Sequence, residues 1–202
     1  MARVAGETGA VETRGFEIAP LLQVARRRLA SQRQFLRPMR GPAAAALAAG
    51  LARAEACIAA LARPQAALLL PDPGHKLAAA LPLRSQEVPL LGVYTLGYDQ
   101  QQAFAWLGRD YVEHHLQTLL ARETLFALGR DVAEWAAKRH ADLPLRRVVL
   151  TGAADGAVWD LGQVRGLLSL FGPAPLGVTL TEGGCFSPLH ALLTVYALRP
   201  AA

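Results

Sequence analysis

Apolar residues recur along this chain with two different periods, and each change of period marks the edge of an element. From Glu17 to about Leu36, the residues Leu21, Val24, Ala25 and Leu29 fall three or four apart, the spacing of one buried helical stripe. Pro38, Gly41 and Pro42 end that stretch, and a second helix built of Ala and Leu is expected from Pro42 to Ala62, stopped by Pro64. Two short apolar runs follow, Ala66–Leu70 and Val88–Gly97, each bounded by turn residues as buried strands are. Helical spacing returns from Asp99 to His140, with breaks expected near Gly108 or Gly129, since glycine costs a helix interior about 1 kcal/mol. After Pro144 come a strand over Leu145–Leu150, a loop over Thr151–Gly156, and a helix whose buried stripe is Leu161, Val164, Leu168 and Phe171. Strands over Leu176–Thr181 and Ala191–Leu198 complete the series, while residues 1–14 are small, polar and unpatterned and read as a loose terminus.

Helices and strands are mixed without strict alternation, which favours an α+β fold over a doubly wound parallel sheet. The chain of 202 residues suffices for one domain with a sizeable core. It divides into a helical N-terminal extension, residues 1–64, and an α+β body, residues 65–202. Charge sharpens that division. The net charge of +5 arises in residues 1–64, with ten basic side chains against four acids, whereas the remainder is nearly balanced. Arg26, Arg27 and Arg28 fan around a helix at about 100° steps, so they present no flat triple contact. With Arg33, Arg37 and Arg40 they form a basic flank, read either as a solvated face or as a dock for an acidic partner or phosphate. No aromatic residues interleave with them, so a nucleic-acid partner is not expected. No uninterrupted run of about 18 apolar residues stands out, so no membrane-spanning helix is expected either. The start lacks a secretory pattern, and a cytoplasmic location follows as the expectation. Cys57 and Cys185 lack paired spacing and read as ordinary buried thiols.

Familiar catalytic patterns are missing: no phosphate-cradling glycine loop, dinucleotide fingerprint, nucleophile elbow or zinc helix appears. No catalytic or metal-ligating residues are therefore assigned. The adjacent His114 and His115 point about 100° apart on a helix and cannot share a metal; one is expected to be half-buried, the other solvated. Glu123 shares a stripe with Val112, Leu116, Leu119 and Phe126. A carboxylate there either sits at the rim paired with a cation such as Arg122 or Arg130, or faces a cavity that holds a cationic ligand.

One stretch carries more. Leu176-Gly177-Val178-Thr179-Leu180-Thr181-Glu182-Gly183-Gly184-Cys185-Phe186-Ser187-Pro188, followed by Leu192-Leu193-Thr194-Val195-Tyr196, resembles the activation domain of cobalamin-dependent methionine synthase. In that family a strand ends in Leu-Thr-Glu-Ser, a Pro follows, and a Tyr-bearing strand completes the site. Tyr94-Thr95-Leu96-Gly97, Gly108-Arg109-Asp110-Tyr111 and the helix bearing Glu123 are similar in order and spacing to stand-alone members. Trp159, Leu161 and Gln163 resemble the opening of the family's next helix, so the resemblance covers roughly residues 90–198. It implies a mixed or antiparallel sheet with long helices. It also implies a module that holds S-adenosylmethionine over the corrin ring of a cobalamin carried by a partner protein, remethylating it after one-electron reduction by a flavodoxin-type donor. Tyr196 matches a tyrosine lining the methyl-donor site, Glu123 a helical carboxylate that contacts the donor, and Glu182 the Glu of Leu-Thr-Glu-Ser.

Val149–Ala154 departs from the family's Arg-x-Ser/Ala-Pro-Gly-Tyr loop, which holds the donor's carboxylate and adenosyl parts, and Arg147 is the nearest replacement for the lost arginine. Losing such a contact costs about 1.5 to 3 kcal/mol of binding. Two readings stay open: a reactivation module that binds S-adenosylmethionine, and a non-catalytic subunit that docks on a corrinoid protein and has lost the donor.

Overall fold

The structure, a computed structural model, describes residues 9–31, 41–72, 74–140, 144–148 and 161–199. Its strands are β1 (Val11–Gly15), β2 (Gln65–Leu69), β3 (Val88–Thr95), β4 (Leu145–Val148), β5 (Thr179–Leu180), β6 (Phe186–Ser187) and β7 (Ala191–Leu198). Its helices are α1 (Ile18–Ser31), α2 (Pro42–Leu61), α3 (Lys76–Ala79), α4 (Gln100–Leu107), α5 (Tyr111–Arg139) and α6 (Leu161–Ser169). Five strands form one antiparallel sheet in the order β1-β2-β3-β7-β4, and β5 pairs with β6 in a small hairpin. The fold is α+β with an antiparallel sheet, as the mixture of periods predicts.

Both faces of the sheet are covered, which is why β3 and β7 read as nearly continuous apolar runs. Side chains alternate across a strand. Leu90, Tyr94, Tyr196 and Leu198 therefore face α1, α2 and α5, while Leu91, Val93, Val195 and Ala197 face α6 and the segment after it. The long α5 is the hub of the first layer, with α1 and α2 packed along it. Asp110 starts α5 by accepting from the Glu113 N–H at 3.0 Å, one turn in. Of the two glycines expected to break this helical stretch, Gly108 does so, with φ +79° at the end of α4, and Gly129 lies within α5.

Residues 1–64, expected as an extension, belong where described to the same packed unit. Leu21, Leu22, Ala25 and Leu29 of α1 and Cys57 and Ile58 of α2 are buried in one cluster with Tyr94, Leu120 and Leu128. Residues 11–15, at the end of the expected loose terminus and just past it, form β1 against β2, with Val11 opposite Leu69 and Gly15 opposite Gln65. Four of its five residues are exposed, so β1 is an edge strand held by backbone pairing and carries no apolar alternation to read. An ion pair from Arg139 to Glu12 at 2.7 Å ties the end of α5 to it.

Three further expectations change. The strand expected over Leu176–Thr181 shrinks to β5, because Pro175–Gly177 form a 3-10 turn with Ala174 and Leu176 at positive φ. Cys185 is exposed on the hairpin, and only Cys57 is buried, its thiol pushed up to about 11 by burial. By length and composition α2 is long and apolar enough to cross a membrane, with Arg53 and Glu55 its only charged residues; it packs through Gly50, Ala54, Cys57 and Ile58.

Candidate functional site

A hollow of about 370 Å³ opens between α5 and the β3, β7, β4 half of the sheet. Two tyrosine rings, Tyr94 and Tyr196, both 2% exposed, line it from the strands. Glycine makes room for each. A Cβ on Gly129 would lie 2.6 Å from the Tyr94 hydroxyl, and one on Gly92 would lie 3.2 Å from Tyr196 Cε2. Gly129 shows the close-approach role of glycine outright, and at Gly92 a Cβ would sit tightly against the ring. Phe126, Gly129, Arg130 and Ala133 recur at the i, i+3, i+4, i+7 spacing that puts one stripe of α5 over the opening.

The antiparallel register of β4 and β7 sets Arg147 directly opposite Tyr196. Strand alternation then separates two adjacent arginines. Arg146 grips Glu87 with two hydrogen bonds, and that contact, with the Arg84 N–H, holds the Glu87 carboxylate down at about 2. Arg147 joins the lining of the hollow, together with Arg28 from α1 and Arg130 from α5. Among the described residues no carboxylate lines the hollow and no salt bridge holds these three guanidinium groups. Burial pushes the Tyr196 phenol well above its ordinary range, with Tyr94 adding to the rise and Arg147 opposing it. Tyr196 is accordingly a protonated hydroxyl at neutral pH. Thr194 Oγ1 donates to the Tyr94 oxygen at 3.3 Å and anchors that ring.

The four residues expected at one site separate into a pair and two outliers. Arg147 and Tyr196 meet in the hollow. Glu123 is buried on α5 one turn before Phe126; Arg122 pairs with it at 3.3 Å, while Arg130, the other cation considered for it, lines the hollow. Glu182 is exposed on the turn between β5 and β6. That hairpin packs through Leu180 and Phe186 on the sheet face opposite Tyr196, so the two sites cannot share a cavity. The loop Val149–Ala154, Trp159, and the arginines Arg33, Arg37 and Arg40 lie outside the described residues.

Arg28, Tyr94 and Arg130 are site residues that the sequence reading did not assign. Gly129 was the available signal, because a glycine inside a long helix that does not break there marks a close contact.

A second concavity, an open groove of about 830 Å³, lies at the corner of α4 and α5 beside Phe104, Arg109, Tyr111 and His114. His114 is buried edge-on against Phe104, ring centroids 4.1 Å apart, with Nε2 2.8 Å from the Gly108 carbonyl oxygen; His115 is exposed. Near the start of β7, His190 is buried against the Tyr98 ring, and among the described residues its Nε2 has no partner. Burial lowers its imidazole to about 4, so it is neutral at pH 7.

No protein-family model matches this chain, and no curated protein matches it.

Proposed function

We propose that this chain is a docking or reactivation module for a cobalamin-dependent methionine synthase or another corrinoid methyltransferase, on an activation-domain-like fold. The observation that carries the reading is the Arg147–Tyr196 pair across β4 and β7, lining a hollow beneath α5. Tyr196 is a position that the resemblance matches to the methyl-donor site, and Arg147 is the nearest replacement for the arginine missing from the donor loop. In this role the chain contributes position. Holding a partner's reactive group in line turns an encounter into an effectively unimolecular step, worth up to about 7 to 11 kcal/mol in favourable cases.

The charge of the lining favours the non-catalytic form of the proposal. S-adenosylmethionine carries a sulfonium and an ammonium against one carboxylate, a net positive charge at pH 7. Among the described residues the hollow offers three guanidinium groups and no lining carboxylate, so the donor's carboxylate finds partners and its two cations find no counter-charge. The described residues do not fit the donor, and cobalamin belongs to the partner in this reading. Docking on a corrinoid protein, with a flavodoxin-type reductant acting on that partner, is the form of the proposal that this lining favours.

Sedimentation of this chain with an isolated cobalamin-binding domain in the cob(II)alamin state is the test. The expected result is a complex at about 10 µM and a changed cob(II)alamin absorption spectrum. No complex at about 100 µM would remove the proposal. Saturable stabilisation of the chain by millimolar S-adenosylmethionine would instead establish the donor-binding form.

A further inference from the structure

We propose that the hollow under α5 is a receptor for a small organic anion, a carboxylate or phosphate attached to a flat apolar body. The inference stands on shape and charge alone and holds whether or not a corrinoid protein is a partner.

Three elements distant in sequence each bring one guanidinium to the same opening: α1 brings Arg28, α5 brings Arg130 and β4 brings Arg147. Like charges gathered without a balancing acid repel one another, and an anion placed among them relieves that repulsion. Nearby carboxylates are engaged elsewhere. Glu123 pairs with Arg122, Glu134 with Lys138 at 2.6 Å, and Glu87 with Arg146. Asp131, next to Arg130 in sequence, feels that arginine and Arg14, yet burial raises its pKa and it is not part of the lining.

The floor adds specificity. Among the described residues no hydrogen bond uses the Tyr196 hydroxyl, which stays protonated and is therefore a neutral donor beside the Arg147 charge. A guanidinium and a phenol lining one hollow from paired strand positions suit the two or three oxygens of a carboxylate or phosphate. The remaining walls, Phe126, Ala133, Leu145 and the tyrosine rings, suit a flat apolar body. A volume of about 370 Å³ is near the lower end of the range for ligand pockets, which points to a small metabolite rather than a macromolecular chain.

Calorimetric titration of the full chain tests this with four probes: phenyl phosphate, 3-phenylpropionate, the uncharged 3-phenylpropionamide, and inorganic phosphate. Saturable binding of phenyl phosphate or 3-phenylpropionate is expected, whichever is tighter naming the head group, with no binding of the amide and weaker binding of inorganic phosphate. Arg147→Gln and Arg130→Gln are each expected to weaken binding by about tenfold or more. Both side chains are exposed, so these variants keep the core, which circular dichroism and melting confirm. Arg27→Gln, on the exposed side of α1, is expected to bind as the parent does. The proposal is overturned if neither organic anion saturates by about 10 mM. It is equally overturned if Arg27→Gln weakens binding as much as Arg147→Gln, which would show diffuse basicity, or if S-adenosylmethionine binds more tightly than both anions. A failed corrinoid complex leaves this result untouched, and anion binding leaves the docking reading untouched, so the two are judged separately.

Discussion

The two faces of the sheet are packed with different chemistry. On the α6 side the buried cluster is Leu69, Leu91, Val93, Leu167, Val178, Val195 and residues like them, with Phe171 its one buried aromatic ring among the described residues. Thr95, at the end of β3 opposite Ala191, adds a buried hydroxyl, which donates to the His190 carbonyl oxygen at 3.2 Å. On the α5 side the buried cluster includes Tyr94, Tyr98 and Tyr196, with Gln117 and Thr194 buried beside them. Gln117 donates to the Tyr98 oxygen at 2.7 Å, and Thr194 donates to Tyr94. Burying a polar group without a partner costs several times what a made hydrogen bond returns, so a core that needs only cohesion avoids such groups. The aliphatic face holds the sheet together, whereas the α5 face spends stability on a cavity. Gly129 and Gly92 belong to the same arrangement, since each leaves room for a tyrosine ring that a Cβ would crowd.

Leu91→Ala is the sharpest way to break that contrast. Leu91 is fully buried on the aliphatic face, and its truncation is expected to cost about 2 to 5 kcal/mol in urea unfolding. Anion binding in the hollow, measured below the unfolding transition, is expected to stay unchanged. A parallel loss of binding would show that the two faces are one cooperative site.

The α5 side also carries the pH dependence. His190 sits at about 4 in the folded chain against an ordinary 6.5, so between those values the unfolded chain takes up the proton and the folded chain does not. Stability is fully present above pH 6.5 and is lost as the pH falls towards 4, by about 3 kcal/mol in total. Urea unfolding at pH 7 and pH 4 measures the loss, and His190→Asn is expected to flatten most of it. An unchanged slope in that variant would assign the titration to other groups.

Gly129→Ala probes the hollow itself. Alanine raises helix propensity by about 1 kcal/mol, but its methyl would meet the Tyr94 hydroxyl at 2.6 Å. The buried ring must shift, so a net destabilisation of about 1 to 2 kcal/mol is expected, together with weaker anion binding. A stabilised variant with unchanged binding would mean that α5 and β3 stand further apart than this geometry has them.

What the sequence revealed, and what it hid, follows the same division. β7 falls over Ala191–Leu198 and α2 over Pro42–Leu61, nearly as the apolar periods and the prolines predict, because burial and chain breakers write themselves into local pattern. β1 escaped because its pairing to β2 uses backbone groups and leaves Glu12, Thr13 and Arg14 to solvent or ion pairs. The hollow was half legible. Arg147 and Tyr196 stood out individually, yet nothing local reveals that β4 and β7 are neighbours with these two residues in register. Arg28 and Arg130 look like any solvated helical arginine until α1, α5 and the sheet are assembled around one opening. Glu182 misled for the converse reason: it belongs to a strand-end segment that resembles a site, but its hairpin folds onto the far face.

The smallest expected effect carries the most information about which face is functional. Tyr196→Phe removes one oxygen and keeps the ring that packs over Gly92. No partner among the described residues loses a hydrogen bond, and the phenol is no longer desolvated for nothing. The stability change is therefore expected to stay within about 1 kcal/mol. If the hydroxyl serves a bound anion beside Arg147, the same substitution weakens phenyl phosphate or 3-phenylpropionate binding by about three- to tenfold, the worth of one neutral donor to a charged acceptor. A variant that melts with the parent yet binds more weakly separates a ligand-facing oxygen from a structural one. If binding is unchanged, the hydroxyl does not touch the ligand, and the arginines alone must account for it.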